Sequence, residues 1–157
     1  MVIAFLLCLA IFDMFVGVSN DAVNFLSSAV GSKAARFKTV LIIAAVGILV
    51  GTATSSGMMD IARHGILQPQ NFTYAEVMCV FLAVVCTDVM ILDIFNSLGL
   101  PTSTTVSMVF ELFGGATAMA VIKMMNDGGM YSYADYINTE KVLSVIMAIF
   151  VSVAIAF

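Results

Sequence analysis

The sequence predicts an all-α, polytopic helical membrane protein, and three observations carry that expectation. Of the 157 residues 62% are hydrophobic and only 10% are charged, whereas a soluble domain carries about a quarter charged residues. Mean hydropathy is +1.11. The apolar residues are gathered into long runs, Met1–Phe12, Val40–Val50 and Val77–Val85 among them, of the kind that forms transmembrane helices. Ten acidic residues against six Lys and Arg, with a pI near 4.6, exclude nucleic acid as a natural partner. Cys8, Cys79 and Cys86 all fall in apolar stretches without metal-ligand spacing, which marks them as small core or lipid-facing residues and not as a disulfide framework.

Each element has its own justification. Met1–Val16 resembles the apolar core of a signal peptide but lacks a basic leader and a small-residue cleavage site, and Asp13 interrupts it. It is expected instead to be the first half of a membrane helix that breaks near Gly17 and resumes through Asn24 to Val30; the two halves together exceed the ~20 residues that cross a bilayer, so tilt or an unwound middle is needed. Lys33, Arg36 and Lys38 form the only basic cluster; the positive-inside rule makes their loop cytoplasmic and puts the N-terminus outside. A second helix is expected from about Thr39 to Met58, with Gly47, Gly51 and Ser55 as a small-residue packing stripe. A polar connection from Asp60 to Tyr74 holds Pro69 and the single histidine, His64, expected to be solvated surface. A third helix, about Ala75 to Leu98, carries Asp93 and Asn96 on one face, with Asp88 about 140° away. Gly99-Leu100-Pro101 breaks the pattern, and hydroxyls from Thr102 to Thr105 are placed to cap the helix that follows. Beyond it come a polar loop from Lys123 to Glu140 and an apolar stretch from Val142 that is barely long enough to span, so the native chain is expected to continue past Phe157. The whole is read as one transmembrane domain, residues 1–157.

The candidate site lies in Gly17–Ala35, where Ser19, Asn20, Asp21, Asn24, Ser27, Ser28 and Ser32 interrupt the apolar sequence. In hydrocarbon each of these groups needs a partner, and an ionisable Asp21 at membrane depth marks an ion or substrate path. Helical spacing puts Asn20, Asp21 and Asn24 on roughly one face, which Ser27 and Ser28 extend by a turn.

Two motifs bring a family into view. Asn20-Asp21-Ala22-Val23-Asn24, followed by Val30-Gly31-Ser32, resembles the Gly-Ala-Asn-Asp-Val-Ala-Asn signature of the PiT family of inorganic phosphate transporters. Pro101-Thr102-Ser103-Thr104-Thr105, with Gly114 downstream, is similar to that family's Pro-Val-Ser-Thr-Thr-His segment. The departures are Val18 where the signature has Gly, Val106 where it has His, and Phe110-Glu111 in place of a Gly-small pair. The resemblance implies one half of an inverted-repeat transporter in the plasma (bacterial inner) membrane, similar to the N-terminal half, with a second repeat of the same protein as partner and room for a homodimer. It implies transport of phosphate by alternating access, coupled to sodium or protons, with no enzymatic activity and no cofactor beyond the coupling ion. Asp21, Asn24, Ser27, Ser28, Ser103, Thr104 and Thr105 would then bind substrate. Asn20, Asp21 and Asn24 would ligate sodium, so that anion binding depends on the cation. A sulfate or other oxyanion permease, an ion exchanger built on Asp21, Asp88 and Asp93, and an inactive structural half-transporter are the alternatives. An intramembrane hydrolase is disfavoured, because His64 is the one histidine and falls in a loop.

Overall fold

The computed structural model describes residues 2–56, 65–126 and 132–156. In chain order the elements are α1 (Val2–Gly31), α2 (Phe37–Thr54), a 3-10 turn (Pro69–Asn71), α3 (Tyr74–Leu98), α4 (Thr104–Asn126), a single-turn α5 (Tyr133–Tyr136) and α6 (Thr139–Ala156). Five of these helices, α1 to α4 and α6, are long and apolar enough to cross a membrane. They leave large apolar side chains such as Phe15, Phe25, Leu49 and Phe150 facing outward, as lipid-contacting helices do. Among the described residues the one β feature is an isolated antiparallel bridge between Leu67 and Ile137. The expected end of the second helix at Met58 and the lone His64 lie outside the described residues.

The break expected near Gly17 is absent: α1 runs unbroken for 30 residues. Glycine inside a helix costs only about 1 kcal/mol relative to alanine, which packing readily offsets. A Cβ at Gly17 would stand 4.0 Å from both Leu92 Cδ1 and Thr104 Cγ2, so the glycine lies at an ordinary packing distance from its neighbours. Ser19 is satisfied within the helix, its hydroxyl donating to the carbonyl of Phe15 at 2.8 Å. The irregular backbone is found instead between α3 and α4, as the Gly99–Pro101 interruption predicts.

The chain forms two compact units. One comprises Met1–Met59 and Asp88–Thr104, the other Asp60–Thr87 and Thr105–Phe157. In the first unit, Val16, Asn20, Val40, Asp88 and Leu92 are buried, and Asp93 is exposed. Among the described residues nothing lies within 4 Å of a Cβ built at Gly47 or Gly51, two members of the small-residue stripe of α2. Thr52 and Thr54 return their hydroxyls to α2's own carbonyls, at Ile48 and Val50.

The second unit holds a contiguous apolar core. Val80 and Val84 of α3 meet Leu112, Ala116 and Ala120 of α4, with Ile66, Leu67, Phe72, Tyr136, Ile137 and Val142 closing one end. Gly115 is where the helices approach, since a Cβ there would lie 3.3 Å from Val80 Cγ1. Polar caps finish the helix starts. Thr73 and Glu76 exchange bonds at the start of α3, Ser132 and Asp135 at α5, and Asn138 Oδ1 accepts from the Lys141 N–H at α6. Lys123 gathers this end together: its Nζ lies 3.1 Å from Glu76 Oε2 and 2.9 Å from the Asn71 carbonyl, and stands 5.5 Å and 5.7 Å from the ring centroids of Phe72 and Tyr136.

Replacing Lys123 with Gln removes the ion pair and both ring contacts. It is expected to lower stability by about 1–2 kcal/mol, read as an earlier thermal transition in detergent. Gly115→Leu drives a side chain into Val80 and is expected to cost about 1–3 kcal/mol. Unshifted melting of both variants would show that this core does not limit stability.

Candidate functional site

The first unit organises its polar residues around the linker that joins α3 to α4. α3 ends because Gly99 takes a left-handed conformation (φ +68°) that residues with a Cβ adopt at a cost. Its last carbonyls are satisfied by Gly99 N–H to Asn96 O and Leu100 N–H to Phe95 O, at 3.2 and 2.9 Å. Pro101 then prevents the chain from resuming a helix directly, and Thr102 is left with a carbonyl outside any helix. That carbonyl is held from α1. Asn20 Nδ2 donates to it at 3.0 Å and Asn24 Nδ2 at 2.7 Å. Four residues apart, the two amides lie one above the other on the same face. Asn20 is only 1% exposed, which an amide tolerates because it is hydrogen-bonded.

Asp21 is one residue further along and so turned about 100° round the helix. It is half-buried, and Thr104, the first residue of α4, donates its hydroxyl to the carboxylate at 3.1 Å to Oδ1 and 3.4 Å to Oδ2. The three polar residues therefore reach one linker from two sides instead of presenting a single face. A cavity of about 390 Å³ opens on the asparagine side, lined by Ser19, Asn20, Val23, Asn24 and Ser27 of α1 and by Asn96, Gly99, Leu100 and Pro101. On the other side Asp21 enters the wall of an otherwise apolar groove of about 560 Å³ between α1 and α2, formed by residues such as Ala22, Phe25, Ala44 and Gly47.

Asn20, Asp21, Asn24 and Thr104 are thus brought together, and Ser27 joins Asn20 and Asn24 on the cavity wall. Ser28 is exposed and outside that wall. Ser103 is exposed within the linker, and Thr105 opens the second unit. Two contributors escape sequence reasoning. Asn96 lines the cavity from the last turn of α3, and its place three residues before the Gly99 break was the available signal. The Thr102 carbonyl is the acceptor on which both asparagines converge, and a backbone group leaves no mark in a side-chain motif.

Asn24→Ala removes one of the two donors to Thr102 and is expected to cost about 1 kcal/mol. Amide exchange should quicken across Gly99–Thr104, measured by hydrogen–deuterium exchange with mass spectrometry. Exchange unchanged in both Asn20→Ala and Asn24→Ala would rule out these amides as what holds the linker.

Comparison with known proteins agrees with the two motifs. Residues 17–157 match the model of the phosphate transporter family. The chain is 32% identical over 143 residues to a protein of Thermococcus kodakarensis named "Putative phosphate permease", covering 88% of this chain and 33% of that protein. It is 30% identical over 141 residues to a protein of the same name from Pyrococcus abyssi, covering 87% of this chain and 34% of that one. The chain thus spans about a third of the length of the curated relatives it matches. No solved structure matches it. With the family model covering nearly the whole chain and two apolar-flanked polar motifs in the expected order, this polypeptide belongs to the phosphate transporter family.

Proposed function

We propose that this chain forms one repeat of a transporter that carries inorganic phosphate across the plasma membrane by alternating access, coupled to sodium or protons. The observation that supports it best is that Asn20 and Asn24 hold the Thr102 carbonyl of the linker while Asp21 holds Thr104 at the start of α4, beside a cavity whose wall includes Ser19, Asn20, Asn24, Ser27 and Asn96. Because the amide nitrogens of Asn20 and Asn24 are engaged by Thr102, their oxygens remain as acceptors. With the Asp21 carboxylate they offer a hard cation oxygen ligands, and sodium fits that chemistry. The hydroxyl of Ser27 and the amide of Asn96, both on the cavity wall, supply donors for an oxyanion, while the Thr104 hydroxyl is committed to Asp21. No Lys or Arg lies within either motif, so the positive charge that phosphate needs comes from the bound cation and from the helix start at Thr104, worth about half a charge. Coupling follows, since the anion binds well only where the cation is already held. A second, oppositely oriented repeat completes the site, and rocking of one repeat against the other exposes it to each side in turn. The basic loop at Lys33–Lys38 faces the cytoplasm and the N-terminus faces out.

Uptake of labelled phosphate into liposomes holding the complete encoded protein, under a sodium or a proton gradient, tests this reading. Uptake should require one of the two gradients and collapse in Asp21→Asn. Absence of phosphate uptake under either gradient, with sulfate uptake in its place, would overturn it in favour of an oxyanion permease of another specificity. Asn96→Asp puts a negative charge on the cavity wall without changing side-chain size and is expected to raise KM for phosphate severalfold with the maximal rate largely kept. An unchanged KM would remove Asn96 from the substrate path.

A further inference from the structure

We propose that the connection between α1 and α2 is a docking surface for an anionic phospholipid, whose headgroup is held by Lys33, Arg36 and Lys38. Three of the chain's six Lys and Arg fall within these six positions, and no Asp or Glu occurs anywhere from residue 22 to residue 59. All three side chains are exposed, and none forms an ion pair among the described residues. The other cation inside the second unit's packing, Lys123, is by contrast tied to Glu76. Ser32–Arg36 is too short to carry the connection away from the bilayer surface, because helices long and apolar enough to span flank it on both sides.

The backbone adds a second observation. α1 ends with Ala34 N–H on the Ala29 carbonyl at 3.3 Å and Lys33 N–H on Val30 at 3.2 Å, with Lys33 in the left-handed region at φ +53°. This is the helix-ending motif whose left-handed position glycine fills most cheaply. α3 ends the same way and does place a glycine there, Gly99. A lysine at this position of α1 accepts backbone strain and keeps a cation at the surface. A lipid suits the site better than free phosphate because exposed apolar groups flank the cations. Val30, Phe37 and Leu41 are 41%, 60% and 44% exposed and extend from the charged loop toward the membrane interior, where acyl chains lie. Juxtamembrane cations attract anionic headgroups one by one, so the three act together.

The complete protein, reconstituted in vesicles of mixed phosphatidylcholine and phosphatidylglycerol, is extracted and its retained lipids are counted by native mass spectrometry. Phosphatidylglycerol should be enriched severalfold over its bulk fraction, and Lys33→Gln with Arg36→Gln and Lys38→Gln should return it to the bulk ratio. Lys33→Gly alone relieves the backbone, so it should melt no earlier than the parent and still lose part of the enrichment. Equal retention of the two lipids by the parent protein would overturn the proposal, as would enrichment unchanged in the triple variant. Displacement of the lipid by excess inorganic phosphate would overturn it in favour of a free-anion site. None of these readouts depends on transport.

Discussion

A backbone carbonyl left outside a helix needs a donor from elsewhere, and the first unit is arranged round one such group. Thr102 sits between two helices long enough to span, and its oxygen meets Asn20 in the C-terminal half of a third. The two asparagines of α1 are what make a non-helical linker tolerable there. The linker in turn fixes where Thr104 begins α4 and therefore where the hydroxyl that contacts Asp21 stands. Anchoring and chemistry are joined in these residues. Each asparagine commits its amide nitrogen to the linker and leaves its oxygen as an acceptor, so in the proposed reading losing either would disturb both the linker and the cation site.

The second unit solves a different problem. Its apolar core depends on close approach at Gly115, and its polar end is closed by caps and by Lys123. A lysine near the end of a membrane helix can place its stem along apolar surface and its charge at the boundary. Here the charge is shared among a carboxylate, a carbonyl and two aromatic faces. That multiplicity lets one residue join α3, α4 and the segments around Phe72 and Tyr136.

Helix number and the break at Gly99–Pro101 were legible because lipid demands long apolar runs and because glycine and proline act locally. The supposed break at Gly17 was not, because a cluster of polar side chains looks the same whether the backbone unwinds or the side chains reach out to something that has. Asn20 and Asn24 do the latter. The pairing of Asp21 with Thr104 joins residues 83 positions apart, and only the similarity of the two motifs to a known signature hinted that they meet. The splitting of Asn20 and Asp21 onto two sides follows from a 100° rotation per residue, which a reading of one broad polar face blurs. Lys33 in a left-handed position had no signal in the sequence, since that region favours glycine and lysine does not mark it.

The continuity of α1 has an electrical consequence. Thirty residues make a rod of ~45 Å, and Asn20–Asn24 lies some ~10–17 Å from its Gly31 end but ~27–33 Å from Val2. The level of the asparagines is therefore roughly a third of the way across the helix, measured from the basic loop. A membrane potential does work on an ion in proportion to the fraction of the field it crosses. In the proposed reading, a cation arriving from the Val2 side would traverse roughly two-thirds of that field before it is bound, and one leaving toward the loop roughly a third. Voltage would then weigh about twice as heavily on loading from the far side as on release toward the loop.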